Sequence, residues 1–190
     1  YVCSCKLPNV ERKLMNYKPW EIDPELTLER LSIIGNVLKN VREKALNLFE
    51  PEEGDGAWSL GCRVYERTIN IIEQESLKYP WLSYYRQGLY FLIFVNHTPI
   101  RFYKGAYDKP TNRTLRKHIP EVRFTAQSLP GFESDEWFWR IAVETINYGE
   151  VLQIVLAQYE TSGIYRNEFV IPVEDVVPFI VSGNPKNINA

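Results

Sequence analysis

The chain is poor in the residues that build ready-made chemical sites. Its 190 residues include three cysteines, two histidines and one methionine. Three cysteines cannot close a set of disulfides, and an odd count in a domain of this size points to reduced thiols and a cytoplasmic compartment. Cys3 and Cys5 form a single C-x-C pair, whereas a structural zinc site brings two paired knuckles. No metal and no cofactor are therefore expected. The chain has no G-x-x-x-x-G-K-[ST] phosphate loop, no G-x-G-x-x-G turn and no G-x-S-x-G elbow, which removes the common nucleotide and acyl-transfer signatures. The longest apolar run is Leu89 to Val95, far short of the roughly 18 residues of a membrane span, so no membrane partner is expected. The net charge of −2 gives no global pull towards nucleic acid.

Aromatic side chains are plentiful at 14%, within an apolar content of 45%. They bury large areas, so a chain of this length can build a sizeable core. Residues 1–22 show no period and read as an irregular N-terminal segment. Met15 lies just upstream of a helix start and reads as a candidate initiator. Asp23-Pro24 reads as an N-cap followed by a first helical residue. Leu31, Ile34, Leu38, Val41, Ala45 and Leu48 then recur at spacings of three and four, which predicts an amphipathic helix over about 23–49. A Gly/Pro/acidic loop follows. Asp55 can cap a second helix over about 57–78, with Trp58, Tyr65, Ile69 and Ile72 on its apolar side. Two helices joined by a short loop form an αα-hairpin.

The texture then changes. Leu89–Val95 reads as a strand buried on both faces, and Ile100–Lys104 as its hairpin partner. Residues 105–135 are broken by Gly and Pro and read as a long excursion. Strand character returns at Trp137–Ile146, Val151–Tyr159 and Tyr165–Ile171. The turns between them place Gly149 and Gly163 third, where a left-handed residue is wanted. Asp175–Val181 is a candidate edge strand, and 182–190 a polar tail. The expected fold is α+β: one domain over 23–181, with the N-terminal αα-hairpin on one face of a five- to six-stranded, mostly antiparallel sheet built around a β-meander. Two helices cannot cover both faces. The second face is expected to be covered by the excursion or by another copy of the chain in a homodimer.

The charge pattern carries the functional expectation. Residues 101–123 hold seven Lys/Arg against Asp108 and Glu121, whereas 133–178 hold nine acids against Arg140 and Arg166. Phe102, Tyr103 and Tyr107 are interleaved with the cations, a combination suited to phosphate contact and stacking. Candidate binding residues are Arg101, Tyr103, Lys104, Arg113, Arg116, Lys117 and His118. Arg63 and Arg67 join them as two cations on one face of the second helix. The competing reading is that the basic segment is salt-bridged to the acidic meander. The expected function is a non-catalytic binding or regulatory domain whose basic segment recognises a polyanion, nucleic acid included, or an acidic protein surface. Two alternatives stand beside it. One is a nucleic-acid-processing enzyme using Glu66, Cys62 or His118 on the same surface; Glu121-Val122-Arg123 is the nearest approach to a nuclease-type acidic-x-Lys triplet. The other is a structural dimer subunit. Cys62 next to Arg63 near a helix start could be a reactive thiol, but a buried filler is the commoner role for free cysteine.

Overall fold

The structure, a computed structural model, describes residues 17–117, 121, 137–146, 149–160 and 162–174. Among the described residues the elements in chain order are α1 Pro19–Ile22, α2 Leu28–Leu46, α3 Ala57–Ser76, β1 Leu82–Gln87, β2 Tyr90–Val95, β3 Thr98–Lys104, α4 Asn112–Leu115, β4 Trp137–Ile146, β5 Glu150–Glu160 and β6 Tyr165–Val170. A short 3-10 turn, Pro51–Glu53, lies between α2 and α3. The fold is α+β, a helical hairpin with one open sheet. The strands lie in sequence order, β1 to β6. Every neighbouring pair is antiparallel except β3 and β4, which run parallel. A parallel pair needs a crossover connection, and the excursion after Lys104 supplies it. Among the described residues no helix is long and apolar enough to cross a membrane.

The helices follow the apolar periodicity, with shifted ends. α2 starts at Leu28 with Thr27 as its N-cap, accepting from the Arg30 N–H at 3.4 Å, and not at Asp23. The Asp23 carboxylate is engaged elsewhere, by the Glu25 N–H at 3.0 Å and the Thr98 hydroxyl. Within the segment expected to be irregular, α1 places Trp20 against Phe169 of β6, edge to face at 5.5 Å. At the start of α3 the N-cap is Gly56, whose N–H donates to the Ser59 hydroxyl at 3.0 Å. Asp55 instead ties the loop together, accepting from the Glu50 N–H at 3.1 Å and pairing with Arg63 at 3.2 Å. The Glu50 N–H is the main reason its carboxyl titrates below the usual range.

One core lies between the hairpin and the sheet. Leu31, Ile34 and Leu38 of α2, with Ile69 and Ile72 of α3, meet Phe91, Ile93 and Val95 of β2, Trp139 and Ile141 of β4, and Ile154 and Leu156 of β5. Trp58 is a correction: it was expected in this core and is 82% exposed. The first turns of α3 expose Ala57, Trp58, Gly61 and Cys62, so the buried stripe begins at Leu60. Cys62 is likewise an exposed thiol and not a core filler. Tyr65 is half-buried, with its hydroxyl donating to the Leu89 carbonyl at 2.6 Å. Strand β1 was not expected at all. It is an edge strand with only Leu82 buried, so it leaves no apolar run. The candidate strand 175–181, the tail, His118 and Arg123 lie outside the described residues.

Alternation along the strands sends Arg101, Tyr103, Phe138, Arg140, Ala157 and Tyr159 to the face away from the helices. There Leu115 of α4 packs with Phe138, Ala157 and Tyr159, and Tyr107 and Tyr165 close the cluster. The excursion thus covers this part of the second face.

Candidate functional site

The second face holds a polar layer as well as an apolar one. Arg101 and Arg140 are register partners across the β3–β4 pair. Like charges directly opposite each other in a sheet repel, so something must hold them there. Glu121 does part of this. Its carboxylate accepts from Arg140 Nη1 at 2.6 Å, with both side chains only 1% exposed. The Tyr90 hydroxyl reaches the other Glu121 oxygen at 3.3 Å. Arg140 also donates from Nε to the Thr114 carbonyl at 3.0 Å and lies over the Phe138 ring at 4.3 Å. Its Nη2 is buried and has no hydrogen-bond partner among the described residues.

Around this pair lie further cations. The Arg101 guanidinium stacks on Tyr90 at 5.3 Å and donates to the Arg116 carbonyl at 2.9 Å. Lys117 Nζ sits 4.8 Å from the centre of the Phe138 ring. Rings under cations are favourable, more so where water is excluded. Burial pushes the Tyr90 hydroxyl well above its ordinary pKa; the Glu121 charge adds to this, while Arg101 and Arg140 oppose it. Burial lowers the Arg140 pKa, Glu121 opposes that, and Arg101 lowers it further. A guanidinium stays charged under such pressure. Burial likewise raises the Tyr65 pKa against the fields of Arg101, Arg86 and Arg113.

The described part of the excursion is anchored to the acidic meander through backbone groups and tyrosine hydroxyls. The Tyr107 N–H donates to Glu144 Oε1 at 2.8 Å, and Gln153 holds the other Glu144 oxygen at 2.8 Å. The Tyr159 hydroxyl donates to the Tyr107 carbonyl at 2.7 Å and lies 3.0 Å from the Tyr103 hydroxyl, which reaches the Ala106 carbonyl at 3.3 Å. Tyr107 pairs with Glu168, which above all pushes its hydroxyl up to about 12. Tyr103, expected as a binding residue, is thus part of this anchor.

The expected residues divide. Arg101 lies on the second face against the Arg116 carbonyl and Lys117 against the Phe138 ring, and Arg113 and Arg116 are exposed. Lys104 projects from β3 to the opposite face, where burial and then Arg42 of α2 lower its pKa. Arg63 is held in the α2–α3 loop by Asp55 and by the Leu48 carbonyl, which it reaches at 2.7 Å. Arg67 is half-buried on α3, and Glu66 and Cys62 are exposed on that helix. Among the described residues no three His, Cys, Asp or Glu gather as a metal site requires.

Arg140, Tyr90 and Glu121 were not expected in the site. A visible signal did exist: Arg140 is a single charge inside the apolar run Trp137–Val143, and a charge in such a strand needs a partner. Comparison of the chain with family models, with curated proteins and with solved structures finds no match in any of the three.

Proposed function

We propose that the chain is a non-catalytic binding domain for a phosphate-bearing polyanion, nucleic acid foremost. One observation carries the reading. Arg101 reaches the Arg116 carbonyl at 2.9 Å, and none of Arg101, Arg113 and Arg116 forms an ion pair with a carboxylate among the described residues. The described part of the excursion is fastened by tyrosine hydroxyls, backbone groups, the buried Arg140 and the bond from Arg101 to the Arg116 carbonyl, whereas the side chains of Arg113 and Arg116 are exposed. Cations left in place beside aromatic rings suit contact with phosphate, and each phosphate neutralised releases counterions.

The test is a salt titration of binding to single-stranded and duplex oligonucleotides. The expected result is a linear fall of log affinity with log salt. Replacing the two exposed residues Arg113 and Arg116 with Ala should flatten the slope by about two. No binding at low salt, or an unchanged slope in the double variant, overturns the proposal. Turnover of the oligonucleotide would move the reading to a processing enzyme on the same surface.

A further inference from the structure

We infer that strand β1 is a self-pairing edge, at which a second copy of the chain sets its own β1 antiparallel and extends one continuous sheet across a two-fold axis. The inference does not depend on the polyanion reading. Strand β1 ends the strand order and pairs with β2 alone among the described residues. Its Ser83, Tyr84, Arg86 and Gln87 are exposed. A sheet edge displays unpaired N–H and C=O groups, which natural sheets blunt with charged side chains, bulges or a covering element. Here no register shift interrupts the β1–β2 ladder, and Arg86 is the one charged residue of the strand.

The ladder decides which backbone groups face outward. In an antiparallel pair, residues bonded to the neighbouring strand alternate with residues whose N–H and C=O point away from it. The Asn96 N–H donates to the Trp81 carbonyl at 2.7 Å, and a two-residue turn closes the ladder at Gln87 and Tyr90. The odd-numbered residues therefore bond to β2, and Leu82, Tyr84 and Arg86 point outward. The Leu82 N–H is taken by the Tyr79 carbonyl at 3.0 Å. Tyr84 and Arg86 keep both outward groups without a partner among the described residues.

One antiparallel register of two β1 strands satisfies all of these groups. It sets Tyr84 opposite Arg86 of the second copy and Arg86 opposite its Tyr84, with the axis level with Tyr85. Each opposed pair exchanges both of its main-chain bonds. A shift to Tyr84 opposite Tyr84 would bring Arg86 against Leu82, whose N–H is already engaged. The side chains agree with the first register. Opposed residues share a face, so each Arg86 lies across from a tyrosine ring, an attractive contact, and no like charges meet. Tyr84 is 42% exposed and stacked on Phe91 at 5.7 Å, which holds its ring at the edge. Continued into the turn, the register brings Leu89, 88% exposed, level with Trp81 of the second copy. A foreign extended peptide meets the same backbone groups, but only a second copy brings Tyr84 and Arg86 in this reciprocal order. The two-fold axis stands perpendicular to the sheet, so both helical hairpins lie on one side and both second faces on the other.

Sedimentation equilibrium of the full chain across a concentration series tests this. The wild-type mass is expected to rise from 22.3 kDa towards twice that value. The amides of Tyr84 and Arg86 should gain protection from hydrogen exchange with concentration, while those of Ser83 and Tyr85 stay unchanged. Tyr84→Lys sets a like charge opposite each Arg86 and should weaken association about tenfold, whereas Tyr84→Glu sets an opposite charge there and should tighten it by about the same factor. Tyr84→Pro removes an outward N–H, which an edge strand tolerates, and should weaken association too. Circular dichroism and thermal melting establish that each variant is folded; where one is not, the other two decide. A wild type that stays at 22.3 kDa at every concentration overturns the inference. A dimer that neither Tyr84→Lys nor Tyr84→Pro loosens also overturns it, because the copies then meet elsewhere. Weakening by Tyr84→Glu as large as that by Tyr84→Lys overturns the reciprocal register.

Discussion

Arg101 and Arg140 stand side by side on parallel strands, and Glu121 is bound to Arg140 in the space beneath them, buried to 1% exposure. A buried pair is near break-even as a whole, because desolvation offsets much of the attraction, whereas a broken pair leaves a bare charge. Arg140→Met alone should therefore cost about 3–5 kcal/mol. Arg140→Met combined with Glu121→Leu should recover most of it. Urea unfolding of the two single variants and the double variant measures this; additive losses would show that the two side chains do not interact.

Gly35 lies within α2, where alanine would ordinarily add about 1 kcal/mol of helix propensity. Here a Cβ would lie 2.8 Å from Ile171 Cγ2 and 3.0 Å from Val173 Cγ1. Overpacking of this kind costs about 1–3 kcal/mol, so the clash should win. Gly35→Ala is expected to lower the melting temperature, and a rise would mean that the strand end after β6 gives way freely.

Phe91 and Trp58 both lie on apolar faces by sequence, but Phe91 is buried and Trp58 is exposed. Phe91→Ala should cost about 3–5 kcal/mol. Trp58→Ala should stay within about 0.5 kcal/mol. Denaturant midpoints of the two variants check this, and comparable losses would place Trp58 in a contact that the monomer does not make.

Tyr90, Tyr103, Tyr107 and Tyr159 all have pKa values raised above 10, chiefly by burial in the first, second and fourth and by the Glu168 bond in Tyr107. The native state keeps their protons where the unfolded chain loses them. Their contribution is thus complete below pH about 10 and is lost as pH rises through the folded values. Absorbance titration at alkaline pH should show a delayed, cooperative tyrosine step that coincides with loss of the circular dichroism signal. Smooth titration of every tyrosine near pH 10 would contradict the buried network.

Much of the fold was legible one element at a time. The three–four spacing of Leu31 to Leu48 announced α2, and the unbroken run Leu89–Val95 announced a strand covered on both faces, although α2 ends at Leu46, β2 starts at Tyr90, and Leu48 and Leu89 are exposed. Gly149 and Gly163 sit at φ +110° and +92°, the left-handed values that their turns call for. Strand β1 was not legible, because an edge strand with one buried residue has no apolar run to read. The exposure of Trp58 was not legible either, since periodicity marks the face of a helix and not how far along that face the core extends. In the site, the cations of 101–117 were visible as a run. Their separation was not: Lys104 falls to the helix side and Arg101 to the other by strand alternation once the sheet's two faces are known.

By itself the sequence determined the local terms: where chain can be helical or extended, which faces must be buried, and that one segment carries an excess of cations. These follow from backbone preference and hydrophobic spacing, which act over a few residues. The tertiary structure alone decided the parallel register that sets Arg101 beside Arg140, and the return of Glu121 to lie between Arg140 and Tyr90. Both are pairings across long loops. No local preference encodes them, because they depend on which strands become neighbours and on the cost of leaving a buried charge without a partner.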